Sequence, residues 1–298
     1  MTFRVFSALS VGYLAVGRLA EQGRLLVHSC FQRSINLSHS DGYLLSLLSG
    51  DFQDLPDAIR ISVGDDWDWR YQARIGQVVT FRQGMLQGAG WCVALNGASR
   101  WQPKQGLSQA WHPALLTACR HYPTLAWQLG RYCQQNHSES DLQLLPDMEQ
   151  RGALRTPPPR PVQLRLTDSP ERLAAEVTAL IGYGRGLTPD GDDYLLGYMA
   201  ALWPWRQHPL LANHDATLRR FIGNQLMRTN DISRHYLARA LEGHFSAPVC
   251  QLMSVLSSTA SIVKVQAAAR EVMQFGASSG VDCLAGILHG LRTLRSLL

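Results

Sequence analysis

Lysine is nearly missing from this sequence. Of its 28 basic residues only Lys104 and Lys264 are lysines, and neither follows a glycine-rich turn. A G-x-x-x-x-G-K-[ST] phosphate loop is therefore excluded, and Schiff-base chemistry has just two candidates. The setting Val263-Lys264-Val265 is not a Met-Lys-Met biotin site. The six cysteines (Cys30, Cys92, Cys119, Cys133, Cys250 and Cys283) contain no C-x-x-C pair. That spacing gives neither a zinc pattern nor a dense disulfide framework, and it predicts free thiols in a cytoplasmic protein. The ten histidines include no H-x-x-x-H pair. No apolar run reaches the roughly 18–20 residues of a membrane helix, so no membrane partner is expected. Net charge is +5, but the basic residues form no stripe, so nucleic acid is not an expected partner either. What charge leaves open is arginine-mediated binding of a small anion.

What is present is apolar surface: 46% of the residues are hydrophobic against 17% charged, enough for a large core. Val5 to Gly17 has the length of a signal-peptide core, but the single Arg4 ahead of it is a weak leader, and the reading taken is a first strand or helix. Short alternating runs at 23–31, 42–48, 58–63, 77–81 and 91–95 are separated by Gly, Asn and Asp and read as strands. The pattern predicts an α+β chain whose first domain, residues 1–106, is a β-rich barrel or sandwich. The period changes near residue 107. Helical patterns follow at 110–119 and 123–135, then from Ser169-Pro170-Glu171, an N-cap with proline at the first helical position, and on to 297. The second domain, 107–298, is thus mainly helical, with the proline run at 156–161 as an extended crossing.

Two helix entries 89 residues apart share the pattern G-x-D-x-L-x-G: Gly191 to Gly197 and Gly280 to Gly286. Small polar residues precede each, Thr188 in one and Ser278-Ser279 in the other. Helix starts leave backbone N–H groups unpaired and carry partial positive charge, and glycine there admits a ligand close to the backbone. Gly197 and Gly286 strip side chains from one face, so the two helices are expected to touch there. Thr229-Asn230-Asp231-Ile232-Ser233 forms a third entry. The expectation is one pocket at which these N-termini converge, with Asp193 and Asp282 at equivalent first-turn places. Asp192 and Asp193 diverge by about 100° on the helix, so at most one faces a given ligand. Each feature also has a plain structural reading: a cap for a Gly-Asp start, a turn for Gly182-x-Gly184-x-Gly186, and a packed core thiol for Cys283.

Gly184 to Asp193, GRGLTPDGDD, resembles the G-x-G-L-T-P-x-G-D-D signature of a bacterial family first labelled carboxylases, whose later-named members are AllH-type subunits of oxamate carbamoyltransferase. The resemblance extends to Thr229-x-x-x-Ser233, to Leu241-Glu242-Gly243 and to 276–282, and is compatible with Ser34-x-Asn36-Leu37 and Trp101-x-Pro103. It implies a transferase subunit in allantoin and purine nitrogen catabolism, exchanging a carbamoyl group between oxamate and phosphate. An acyl-CoA-synthetase-like subunit and a third subunit are the partners implied. On this reading Asp193 and Asp282 are catalytic. Gly184, Arg185, Gly186, Thr188, Gly191, Asp192, Thr229, Ser233, Ser278, Ser279 and Gly280 bind the substrate. No cofactor is evident and the metal is left open; if Mg²⁺ binds, Asp192, Asp193 or Asp282 would hold it. Both catalytic acids are expected to act through their charge, so that Asp→Asn abolishes transfer. The competing readings are a carboxylase-like enzyme and a non-catalytic ligand-binding or scaffolding subunit.

Overall fold

The computed structural model describes residues 3–21, 23–64, 66–103, 111–136, 164–276 and 278–298. The chain divides into two compact units, Met1–Lys104 and Gln105–Leu298. The first carries nine strands: β1 (Arg4–Gly12), β2 (Arg24–Cys30), β3 (Ser34–Ser38), β4 (Leu44–Ser49), β5 (Ala58–Ile61), β6 (Val78–Arg82), β7 (Met85–Gly88), β8 (Trp91–Ala94) and β9 (Ser99–Trp101). Their order is β5-β4-β3-β2-β6-β7-β8-β1, and β1 pairs back onto β5, so eight strands close into a barrel. β1 makes the closure. One edge lies antiparallel to β5 (Val11 opposite Ile59), while the other runs parallel to β8 (Arg4 opposite Trp91) and then to β9 (Gly12 opposite Trp101). A register shift between Ala8 and Ser10 bends the strand as closure requires.

Alternation fills the interior. Leu25 and Val27, Ile35 and Leu37, Leu45 and Leu47, and Ile59 and Ile61 are all buried in one cluster. Trp69 packs edge-on against Trp67 and Trp91, with ring centroids 5.4 and 5.0 Å apart. The five expected strands are present, and the sandwich alternative gives way to the barrel. Of the four further strands, β1 lies in the stretch read as a first strand or helix, while β3, β7 and β9 are short segments of five, four and three residues that the sequence reading did not single out. The apolar stretch after Arg4 is both strand and helix: β1 passes into α1 (Tyr13–Glu21) where the N–H groups of Leu14 and Ala15 donate to the Pro56 carbonyl. A single turn, α2 (Trp69–Gln72), completes this unit.

The second unit is helical among its described residues: α3 (Trp111–Arg120), α4 (Tyr122–Asn136), α5 (Pro170–Leu180), α6 (Asp190–Leu202), α7 (Pro209–Gln225), α8 (Asp231–Leu241), α9 (Ala247–Leu256), α10 (Ile262–Met273) and α11 (Ser279–Arg295). Their starts follow local chemistry. The Ser169 hydroxyl accepts from the Arg172 N–H with Pro170 at the first position, and Asn230 accepts from the N–H groups of Ile232 and Ser233. Helices α6 and α11 are buried on nearly every face, as expected of a central pair, and the amphipathic helices surround them. No described helix is long and apolar enough to cross a membrane. The proline run at 156–161 lies outside the described residues.

Candidate functional site

The two matched entries open α6 and α11, and these helices cross in backbone contact. A Cβ on Gly197 would lie 1.9 Å from the Cys283 carbonyl oxygen, and one on Gly286 would lie 2.0 Å from that of Tyr194. Tyr194 and Cys283 each follow the aspartate of their own copy, so the contact is reciprocal, a local twofold. This is the glycine-face contact expected from the sequence.

The entries themselves differ from expectation in two respects. Space beside Gly191 and Gly280 is filled by protein: a Cβ would meet the carbonyl oxygens of Leu180 and Val272 at 1.9 and 2.0 Å. Both glycines are needed for the close approach of the preceding helix, not of a ligand. The first-turn amides are also engaged. Gly191 N–H donates to the Tyr183 carbonyl, and those of Asp192 and Asp193 to Pro189; Gly280 N–H donates to Phe275, and those of Val281 and Asp282 to Ser278, all at 2.8–3.2 Å. Recognition at this place therefore falls to side chains.

The adjacent aspartates divide the work, as their angular separation requires. Asp192 Oδ1 accepts from Gly182 N–H at 2.8 Å, and Oδ2 accepts from the hydroxyls of Thr229 (2.5 Å) and Ser233 (2.6 Å). It clamps the end of α5 and the start of α8 onto α6, so the third entry joins through Asp192. Asp193 points to the other entry. The hydroxyls of Ser279 and Thr188, themselves 2.7 Å apart, hydrogen-bond its carboxyl group. Asp193 is only 8% exposed, yet its Oδ2 has no hydrogen-bond partner among the described residues. Asp282 is fully buried on α11. Burial drives the Asp193 carboxyl well above the ordinary carboxylate range; the Ser279 and Thr188 hydroxyls oppose this, and the charges of Asp282 and Asp192 add to it. Burial and the same acids, Asp193 and Asp282, push the Cys283 thiol up, so it is a neutral core thiol as expected.

A glycine-rich turn leads into α6. Gly182, Gly184 and Gly186 all have positive φ (75°, 106° and 92°), and Gly184 leaves no room for a Cβ against the Asp190 backbone. Tyr183 to Leu187 are exposed, Arg185 among them. Ser278 caps α11 through its carbonyl oxygen, with no side-chain cap bond. Among the described residues no group of three or more His, Cys, Asp or Glu side chains converges as a metal-holding set.

The sequence reading missed a buried polar ladder along the α6–α11 seam. Tyr194 Oη is 2.6 Å from His289 Nδ1 and accepts from Leu164 N–H at 3.0 Å. Tyr198 Oη is 2.9 Å from Thr293 Oγ1 and 3.0 Å from His214 Nε2. Burial, with Arg292 and Arg165 nearby, holds His289 well below the usual imidazole range. The signal was available in the matching i, i+4 spacing of Tyr194/Tyr198 and His289/Thr293 on two apolar helices.

Residues 180–291, which span the glycine-rich turn and all three entries, match the family model described as oxamate carbamoyltransferase subunit AllH. Residues 7–100, which span most of the barrel, match the AllH family N-terminal domain. No solved structure matches the chain. With matches in both units covering most of its length, this chain belongs to the AllH family, a family of oxamate carbamoyltransferase subunits.

Proposed function

We propose that this subunit contributes the transfer site of an oxamate carbamoyltransferase, at the meeting of α6 and α11. The observation that carries the reading is the buried Asp193 carboxyl, engaged by hydroxyls from both matched entries, with Oδ2 buried and unpartnered among the described residues. The reaction converts oxalurate and hydrogenphosphate into oxamate and carbamoyl phosphate. A phosphate oxygen forms a bond to the carbamoyl carbon, the bond from that carbon to the oxamate nitrogen breaks, and the proton lost by hydrogenphosphate ends on that nitrogen. Charge develops on the carbonyl oxygen between these events, where a preorganised donor is most effective.

In this reading Asp193 touches the transferred group, and Asp282 acts from beneath it through its charge. Thr188 and Ser279 set the orientation of Asp193. Arg185 on the exposed Gly184–Gly186 turn supplies a cation for the anionic end of the ligand. Asp192, Thr229 and Ser233 hold the pocket's frame. The reading also takes in a place in allantoin nitrogen breakdown, with an acyl-CoA-synthetase-like subunit and a third subunit completing the enzyme.

The test is phosphorolysis of oxalurate, followed by formation of carbamoyl phosphate, with the purified chain alone and then with its partner subunits. Transfer that requires this chain and falls about a hundredfold or more in Asp193→Ala supports the reading. Full activity of the assembled enzyme carrying Asp193→Ala would leave this chain as a scaffold.

A further inference from the structure

Asp193 is buried, and its Oδ2 is a buried oxygen with no hydrogen-bond partner among the described residues, a setting that disfavours the ionised form. It is more than nine-tenths buried, and Asp282 and Asp192 both bear on it. The groups that bear on it most are two hydroxyls, Ser279 and Thr188, and two other acids. Two carboxylates in a low-dielectric site resist simultaneous ionisation. The Ser279 and Thr188 hydroxyls engage its carboxyl group, and Oδ2, buried with no partner among the described residues, is the place for a proton.

We propose that Asp193 works as a neutral carboxylic acid, whose Oδ2–H donates a hydrogen bond to the carbonyl oxygen of the group being transferred. The inference rests on the transfer-site reading above and assigns the chemistry of its central contact. A carboxylic acid kept neutral by its surroundings is a strong donor toward a developing oxyanion. As the phosphate oxygen bonds to the carbamoyl carbon, the carbonyl π pair moves onto oxygen, and Asp193 Oδ2–H stabilises it. When the carbon–nitrogen bond breaks, the pair returns and Asp193 keeps its proton. The ligand class is accordingly a small carbamoyl or amide compound presented carbonyl-first. This reverses the expectation drawn from sequence that Asp193 acts through its charge.

The reversal can be read directly. Asparagine keeps the size of Asp193, keeps an oxygen for Ser279 and Thr188, and places an N–H donor where Oδ2–H stood; alanine keeps none of these. In the assembled enzyme, Asp193→Asn should retain transfer within about tenfold of wild type, whereas Asp193→Ala should lose about 10²–10³-fold, the usual effect of deleting one oxyanion donor. Equal losses in the two variants would overturn the proposal. Protonation is measured independently of activity by the infrared difference spectrum of the full chain, wild type minus Asp193→Asn, at neutral pH. A carboxylic-acid C=O band is expected; a carboxylate band in its place overturns the proposal even if Asp193→Ala fails to fold. Should the wild-type enzyme transfer no carbamoyl group, the functional reading fails, while the infrared band still decides the state of Asp193.

Discussion

Replacing Gly197 with alanine is the sharpest test of the α6–α11 crossing. The added Cβ would sit 1.9 Å from the Cys283 carbonyl oxygen, where ordinary contact begins at 3.4 Å. The helices would have to part by roughly 1.5 Å at that point, within an interior packed as densely as an organic crystal. The Cβ is fixed by its own backbone and the atom it meets is a backbone carbonyl oxygen, so no rotamer change relieves the clash. Overpacking of this kind costs about 1–3 kcal/mol and occasionally more. Set against it is the gain of about 1 kcal/mol when alanine replaces glycine inside a helix. A backbone clash belongs at the severe end of that range, and we expect Gly197→Ala to destabilise by about 2 kcal/mol. Gly286→Ala meets the Tyr194 carbonyl oxygen at 2.0 Å and should behave alike. Once one substitution has parted the helices the second has less to do, so the double variant should fall short of additivity by at least about 0.5 kcal/mol. Gly223 is the control: it lies within α7, and its nearest neighbour to an added Cβ is Leu241 Cδ1 at 3.8 Å. Gly223→Ala should therefore stabilise by up to about 1 kcal/mol. The assay is chemical denaturation of the full chain followed by far-UV circular dichroism. If Gly197→Ala proves as stable as Gly223→Ala, the reciprocal crossing is refuted.

Asp192→Ala should be strongly destabilising, by about 3 kcal/mol, because it strands the Gly182 N–H and the Thr229 and Ser233 hydroxyls in a buried place; denaturation measures the loss, and hydrogen exchange at the Gly182 amide should accelerate. None of the six cysteines forms a disulfide, and burial pushes the thiols of Cys119 and Cys250 up to about 11 and that of Cys133 up to about 12. A thiol reagent at mildly alkaline pH should find six groups after unfolding but react slowly with these three in the native protein; rapid native labelling of Cys119 would contradict the packing. His289 and His214 are held below the ordinary imidazole value of 6.5 by burial. The unfolded chain therefore binds protons at these two sites while the folded chain does not, so their contribution is intact above pH 6.5 and declines as pH falls below it. Denaturation at pH 7.5 and about 5.5 should show this loss, and a His289→Gln variant should show a smaller one; an unchanged pH dependence in that variant would count against the buried neutral imidazole.

Much of the architecture was legible because it is written locally. Alternation at 23–31, 58–63 and 91–95 needs only the two-residue period of a strand, and Ser169-Pro170 or Asn230 announce a helix start through bonds to residues two or three places away. The repeated G-x-D-x-L-x-G likewise disclosed the meeting of α6 and α11, since two glycines at matching places on two apolar helices have little use except close approach. Other features depended on atoms far away in the chain. Closure of the barrel rests on β1 finding β5, about fifty residues on, and no pattern within either strand distinguishes that from a sandwich. Gly191 and Gly280 looked like openings for a ligand until the carbonyl oxygens of Leu180 and Val272 were found in the space. Asp192 and Asp193 are chemically identical neighbours in the sequence. Only the tertiary structure gives one of them three donors, and leaves the other buried among hydroxyls and acids. The protonation state of a carboxyl group is set by the solvent, charges and donors that surround it, and the fold assembles those from residues about ninety positions apart.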